Sequence, residues 1–290
     1  MKTIEKCPVC SETLFSPFLS CVDHMITKEK FNIVSCNNCR FHFTNPVPTV
    51  DMIGEYYKSD NYVSHSSSKK GFVNFLYGIV RTFTLKQKLR WVKNNTLGKE
   101  LLDIGSGTGH FLKAARKKGF HGLGIEPDNE ARTYAHRVNH VRSYSQKELY
   151  KIKENTFDAI TLWHVLEHVY HLNKDIKQIK NLLKPTGTLF VAVPNMASYD
   201  ASYYKSFWAA YDVPRHLYHF QQYDIARLFA NHGFELKKVI PMKYDAFYVS
   251  MLSEKYKKGF FLKGVWIGLL SNFKAKKHGY SSQVYVLKHK

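Results

Sequence analysis

An α/β fold, built on a doubly wound parallel sheet and preceded by a small cysteine-bearing module, is predicted by three features of this chain. From residue 100 onward, strand-like and helix-like stretches alternate, which argues for parallel strands joined by helical crossovers. The apolar run at 100–104 leads straight into Gly105-Ser106-Gly107-Thr108-Gly109 and then a helix, the layout of a nucleotide-cofactor cradle. Two Cys-x-x-Cys pairs, Cys7/Cys10 and Cys36/Cys39, stand near the start of the chain with 25 residues between them.

Four thiolates in two such knuckles can close a tetrahedral shell around one zinc ion. The spacing is that of a zinc ribbon with a slightly long middle, so residues 1–45 are expected to form a zinc-ribbon-like module held by Zn2+. A closed shell of four thiolates stabilises structure and does no chemistry. Cys21, the remaining cysteine, is expected as a core thiol. Thr44-Asn45-Pro46-Val47-Pro48-Thr49 cannot extend a sheet or helix far, and Ser64-His65-Ser66-Ser67-Ser68-Lys69-Lys70 is loop-like, which makes 46–70 a linker. Beyond it, Phe72, Phe75, Leu76, Ile79, Val80 and Phe83 recur near helical spacing. Strands are then expected at 100–104, 121–126, 140–144, 157–163, 187–193, 234–242 and 282–289. Helices fall between them at 111–118, 130–138, 172–183 and 223–232. The apolar stretch 259–270 is too short to span a bilayer and reads as a packed helix or a lid.

The net charge of +20 is unevenly spread. Residues 1–70 carry 8 basic and 7 acidic side chains, 71–99 carry 6 and 0, 100–250 carry 20 and 15, and 251–290 carry 9 and 1. The segments 71–99 and 251–290 are therefore either contact faces for an anionic partner (RNA, a phosphorylated metabolite or a membrane surface) or solvated helix faces. The cysteine module has no basic excess, so a protein-interaction or substrate-covering role suits it better than nucleic-acid binding. The absence of a membrane-spanning run and of an apolar signal segment in MKTIEKCPVC leads us to expect a cytoplasmic protein.

The glycine turn separates two cofactor classes. A dinucleotide site wants G-x-G-x-x-G, yet the third position is His110 and the glycine comes one place early at Gly109. Asp103 instead ends the strand two residues before Gly105, placed to meet a cationic ligand, and Glu126 closes the next strand, where a carboxylate can accept from both ribose hydroxyls. With LLDIGSGTGHFL at 101–112 and GLGIEPD at 122–128, residues 71–290 resemble the class I S-adenosylmethionine-dependent methyltransferases. That resemblance implies a Rossmann-like seven-stranded sheet with an antiparallel last strand. It also implies S-adenosyl-L-methionine as cofactor, with Asp103, Gly105, Ser106 and Gly107 against its methionine part, Glu126 on the ribose, and Pro127 and Asp128 beside the adenine. Gln146 stands where many relatives carry an acid for the adenine amine; Gly109 and Trp163 complete the expected cofactor set.

Trp163-His164-Val165-Leu166-Glu167-His168 follows the fourth strand of that domain, at the edge where open α/β sheets bind ligands. The spelling H-x-x-E-H matches an inverted zinc-protease motif, but its place at a strand end inside a methyltransferase pattern sets that aside. It is more similar to the E-x-x-E-H segment of small-RNA 2′-O-methyltransferases, where a later histidine completes a metal-assisted site, with His164 replacing the first acid here. Related non-metal enzymes carry L-E-H at this place for structure or substrate positioning. Residues 195–220 form an aromatic insertion. Resemblance makes it a lid over the acceptor pocket, where its rings could stack on a planar or sugar-like acceptor; they could equally close the core. His164, His168, His216 and His219 are the candidate catalytic residues, since imidazole can take a proton from a hydroxyl near neutral pH. The expected function is methyl transfer to an oxygen of a small molecule, in the manner of the ubiquinone-pathway and zinc-module sugar methyltransferases. An RNA methyltransferase and a non-catalytic cofactor-binding scaffold are the alternatives.

Overall fold

A computed structural model describes residues 1–57 and 72–290, with side-chain surroundings in the first long helix described from residue 83 onward. The loop expected at 64–70 therefore lies outside the described residues, as do the side chains of Phe72, Phe75, Leu76, Ile79 and Val80.

The first three strands are β1 Phe15–Val22, β2 Lys30–Cys36 and β3 His42–Thr44. The larger sheet takes β4 Glu100–Ile104, β5 His121–Ile125, β6 Arg142–Tyr144, β7 Phe157–Trp163, β8 Leu183–Pro194, β10 Phe234–Pro241 and β11 Ser282–His289 in the order β10-β11-β8-β7-β4-β5-β6. Strand β11 runs antiparallel to both of its neighbours, whereas β8, β7, β4, β5 and β6 pair in parallel. The central strands are apolar on both faces because helices cover both sides: Leu101 and Leu102, and every residue from Leu189 to Val193, are fully buried.

Helix α1 Phe72–Asn95 leads into the sheet, and α2 His110–Arg116, α3 Asn129–Arg137, α4 Leu172–Leu182, α5 Tyr199–Tyr204, α6 Gln222–Asn231, α7 Asp245–Tyr256 and α8 Phe261–His278 follow. Local chemistry sets several boundaries. The Asp128 carboxylate accepts the Ala131 N–H at 2.7 Å and starts α3. Gln221 and Asp224 form a capping box at the head of α6. Two strands differ from expectation. His140 has φ +54°, a left-handed conformation that no strand accommodates, so β6 begins at Arg142. Strand β8 starts at Leu183, directly after α4, because Leu183 pairs with Phe157 and β8 then bulges before Thr188 pairs with Ala159.

The short strand β9 Tyr218–His219 joins the other sheet, whose order is β1-β2-β3-β9. His42 pairs with His219 and Phe43 with Tyr218, antiparallel. The 195–220 insertion thus supplies the edge strand of the cysteine module, and Phe41 and Phe43 share one apolar core with Leu166, Leu217 and Phe220. A buried ion pair adds a second tie. Arg215, 1% exposed, bonds Asp23 at 2.9 Å, Asp212 at 2.6 Å and the Tyr56 carbonyl at 2.9 Å.

Candidate active site

Strand order reverses between β4 and β7, and the crevice beyond their carboxyl ends is where an open α/β sheet binds its ligand. The segments leaving these two strands meet there. A Cβ on Gly105 would lie 2.3 Å from a Val165 methyl, so the glycine turn after β4 rests directly on the segment that carries His164 and Glu167.

Asp103 is buried and accepts from the Thr161 hydroxyl at 2.6 Å. Burial pushes its carboxyl up to about 7, against the pull of Thr161 and the nearby Lys88 ammonium. Glu126 accepts the Gly107 N–H at 2.8 Å and the Asp128 N–H at 2.9 Å, which fixes its carboxylate against the turn. Gly107 has φ +51° and open space where a Cβ would be, so backbone conformation alone demands glycine there, and a ligand can approach. Gly109 differs: at φ +78°, a Cβ would meet Val141 at 2.4 Å, so this glycine serves the packing of α2 against its neighbours. Ser106 bonds the Ser143 hydroxyl at 2.9 Å, tying the turn to β6. Pro127 lies beyond β5, and Gln146 is half-buried at the start of a 3-10 turn after β6. Trp163 packs edge-on against Phe111 with the Lys88 ammonium over its ring at 4.7 Å, and its buried indole N–H has no partner.

The histidine cluster is assembled from three segments. His164 has φ +58°, a strained conformation for a side-chain-bearing residue, while its N–H donates to Ala192. Its Nε2 lies 3.2 Å from Asp245 Oδ2 and its Nδ1 3.5 Å from Glu167 Oε1. Burial disfavours the imidazolium, but these two acids outweigh it and raise His164 to about 9. Glu167 is fully buried, and neither of its oxygens has a hydrogen-bond partner. Despite burial, the surrounding histidines hold its carboxyl below the ordinary range. Glu167, His168 and His216 each offer an atom within 4.8 Å of the other two. His168 Nδ1 lies 3.0 Å from the Arg215 carbonyl, and His216 Nδ1 lies 2.8 Å from the Ala210 carbonyl. A carbonyl only accepts, so both Nδ1 atoms carry a proton, and His216 Nε2 lies 4.0 Å from Asp212 Oδ2. Burial, then His216, pulls His168 down to about 4. His219 stands apart from the three: its Nε2 bonds Thr44 at 3.0 Å, and because the Thr44 hydroxyl donates to the His216 carbonyl, His219 is the donor.

Sequence reasoning missed Asp245, Tyr57, whose hydroxyl bonds His168 at 3.0 Å, and Arg215. The charged run at 212–215 carried a signal for Arg215; nothing local pointed to a residue 81 positions past His164. Of the aromatic insertion, Tyr204, Trp208, Tyr211, Tyr218 and Phe220 are buried in the core, and Tyr199, Tyr203 and Phe207 reach solvent. Trp208, His216, Tyr218, His219 and Phe220, among others, line a narrow gap too small to hold a water molecule.

The thiols of Cys7, Cys10, Cys36 and Cys39 lie within 4.8 Å of one another, with Cys7–Cys39 and Cys10–Cys36 at 3.5 Å. Tetrahedral zinc–thiolate bonds place sulfurs about 3.8 Å apart, so the set fits that ion. Cys21 is buried and free, and burial pushes its thiol up to about 12.

The sheet order, the glycine turn and the acids ending β4 and β5 define the S-adenosylmethionine-dependent methyltransferase fold. A methyltransferase-domain family model matches residues 75–239, more than half of the chain, and the chain belongs to that family. It is 27% identical over 166 residues to the mitochondrial ubiquinone biosynthesis O-methyltransferase of Bos taurus, covering 52% of this chain and 45% of that protein. It is 34% identical over 113 residues to the ubiquinone biosynthesis O-methyltransferase of Actinobacillus pleuropneumoniae serotype 7 (strain AP76), covering 35% and 48%. The chain thus spans about half the length of these relatives. Among solved structures, magnesium protoporphyrin IX methyltransferase from Synechocystis PCC 6803 with bound SAH superposes with a TM-score of 0.54 at 14% identity, covering 83% of this chain and 99% of that one. A SAM dependent methyltransferase from Archaeoglobus fulgidus gives 0.52 at 15% identity, covering 72% and 94%. At these identities the two structures speak to the fold.

Proposed function

We propose that this protein transfers the methyl group of S-adenosylmethionine to a hydroxyl oxygen of a small, ring-bearing acceptor. The observation that carries this reading is the Glu167–His168–His216 cluster, a fully buried carboxylate that accepts no hydrogen bond and has His164 Nδ1 at 3.5 Å, beside two imidazoles, on the segment that packs against the glycine turn. In this reading Asp103, Gly105, Ser106 and Gly107 receive the methionine part of the cofactor. Glu126 takes the ribose, Pro127 and Gln146 border the adenine, Trp163 stands at the end of β7 beside the crevice, and Gly109 keeps the helix behind the turn.

The acceptor oxygen attacks the methyl carbon, the carbon–sulfur bond breaks, the sulfonium becomes a thioether, and the hydroxyl proton departs. The sulfonium is already a strong electrophile, so the protein needs mainly to align the three centres and loosen that proton. Glu167, His168 and His216 would hold a divalent cation, which supplies Lewis acidity toward an acceptor oxygen and leaves coordination positions open. Both imidazoles donate Nδ1–H to backbone carbonyls, an outer shell that orients metal-ligating histidines. His164 spans Glu167 and Asp245 and holds the carboxylate in place, and His219 steadies the loop through Thr44. Cys7, Cys10, Cys36 and Cys39 would hold a structural zinc remote from this chemistry.

Two expected results test the residue assignments. His168→Ala and His216→Ala should bind the cofactor with unchanged affinity by calorimetry yet turn over about 10²–10⁴-fold more slowly; a matching loss of cofactor affinity would contradict the roles given. The Asp103 carboxyl, at about 7, must lose its proton to meet the fixed positive charge of the sulfonium. Cofactor affinity is therefore expected to rise with pH up to about 7 and then level, and Asp103→Asn should flatten the profile. The reaction itself is tested by incubating pure protein with methyl-labelled S-adenosylmethionine and a cell lysate split into RNase-treated and untreated halves. Label in a small-molecule fraction, indifferent to RNase, is expected. Label that enters a polymer and vanishes with RNase would assign the activity to RNA, and no label beyond background would favour a non-catalytic role.

A further inference from the structure

Helix α8 is built inside out for a helix on a water-facing surface. Its buried positions are Gly264, Ile267, Gly268, Ser271 and Ala275, a face of mostly small residues. A Cβ on Gly264 would stand 2.6 Å from the Met251 Cα, and one on Gly268 would stand 2.8 Å from the Phe247 Cα, so α8 lies directly on the backbone of α7. The large apolar residues point the other way. Phe261, Leu262, Val265, Trp266, Leu269 and Phe273 are all exposed, Leu262 at 78% and Phe273 at 83%. At 100° per residue these six positions fall within an arc of about 140°, forming one continuous stripe. Phe260 extends it at the head of the helix, 82% exposed. A helix facing only water gains nothing by hiding glycines and serine while wetting a tryptophan and two phenylalanines; apolar side chains gathered this way mark a contact surface.

The charge around the stripe says what it meets. Lys277 borders it and Lys276 falls within its arc near the far end, Lys263 and Lys274 stand about 60–80° beyond its edge with their ammoniums over the Tyr203 and Tyr199 rings, and Lys258 precedes the helix, all exposed. Across 251–290 there are 9 basic residues against a single acid, Glu254, which is buried against the Tyr204 hydroxyl. A second copy of this face would bring the same positive charges together. An apolar stripe of phenylalanine, tryptophan and leucine rimmed by lysines is instead complementary to the boundary between acyl chains and anionic headgroups. No described helix is long and apolar enough to cross a membrane, so α8 would lie in the surface plane. We propose that the outer face of α8 docks the protein on an anionic lipid surface.

The test is co-sedimentation of the full chain with phosphatidylglycerol-containing vesicles and with pure phosphatidylcholine vesicles, over a range of salt. Binding to the anionic vesicles, weakening as salt rises, is expected. The triple variant Phe261→Ser/Trp266→Ser/Phe273→Ser should lose about tenfold or more of that partitioning while keeping its thermal midpoint, because all three side chains are exposed. Charge reversal at Lys263→Glu/Lys277→Glu should abolish the preference for anionic lipid. Equal partitioning of the triple variant and the parent would overturn the proposal, as would no vesicle binding by the parent. Concentration-dependent dimerisation removed by the triple variant, with no vesicle binding, would assign the face to self-association. Binding to an RNA oligomer that survives the triple substitution, in place of vesicles, would make the lysines a nucleic-acid contact.

Discussion

Cys36→Ser is expected to abolish stoichiometric zinc and to collapse both the cysteine module and turnover. Cys36 is fully buried, and its thiol faces Cys10 at 3.5 Å. A structural zinc ion contributes roughly 10–16 kcal/mol in small zinc-binding peptides, as much as the whole net stability of about 5–15 kcal/mol typical of a domain. Apart from the metal, the 1–44 region is held by three strands, the Arg215–Asp23 ion pair and an apolar core largely shared with the methyltransferase domain. The damage should travel. Strand β3 pairs with β9, and Thr44 bonds both the His216 carbonyl and the His219 ring. Hydrogen exchange should therefore rise at 15–44 and at 216–219 together, and labelled-methyl transfer should fall with it. A metal-free Cys36→Ser protein with full activity and an intact N-terminal sheet would remove both the zinc assignment and the coupling.

Arg215→Ala is expected to cost about 3–5 kcal/mol in urea unfolding, the range for breaking one side of a buried ion pair. The substitution strips the partner from two acids at once, Asp23 and Asp212, and removes the donor to the Tyr56 carbonyl. Asp23 cannot escape to water, because its carboxylate also receives the N–H groups of Met25, Ile26 and Thr27. Against its burial, Arg215 and those N–H groups hold the Asp23 carboxyl below its usual range. A depressed carboxyl contributes stability above its unfolded value of about 3.9 and loses it as pH falls through the folded value. The advantage of the parent over Arg215→Ala should thus be full above about pH 4 and shrink as pH falls through the folded Asp23 value, where the parent loses the contribution that the variant already lacks. Arg215→Lys retains charge but not the fork, and partial recovery is expected. A variant within about 1 kcal/mol of the parent would show that the tie is dispensable.

The sheet was legible in the sequence because its determinants are local. Apolar runs bounded by glycine, asparagine or proline located β7 and β11 to the residue, and the glycine turn marked the cofactor edge before any contact was known. Errors fell where local sequence did not announce the pairing: β6 began late for a left-handed His140, and β8 began early because Leu183 pairs with Phe157 ahead of a bulge in β8 itself. The cysteine set was equally plain, since spacing alone brings four thiols within reach of one ion. The histidine cluster was legible only in part. His164, Glu167 and His168 follow from one motif, but the pairing of His168 with His216, the Asp245 contact and the Tyr57 hydroxyl come from segments that meet only when the sheet closes. The fate of the aromatic insertion was also hidden. Ring content cannot distinguish a stacking lid from core, and five of its rings turn inward, one of them on an edge strand that no pattern of two residues could announce.

That two-residue strand sets a timetable for the growing chain. Thr44 and His219 lie 175 positions apart, so the first sheet is made within the opening residues yet waits for its fourth strand until most of the polypeptide has left the ribosome. Contacts of such separation form late and slowly. The imidazoles of His216 and His219 thus reach their final places only after the half from β4 to β7, which carries the glycine turn, has had time to fold. A nascent chain would accordingly recognise its methyl donor before it could spend it.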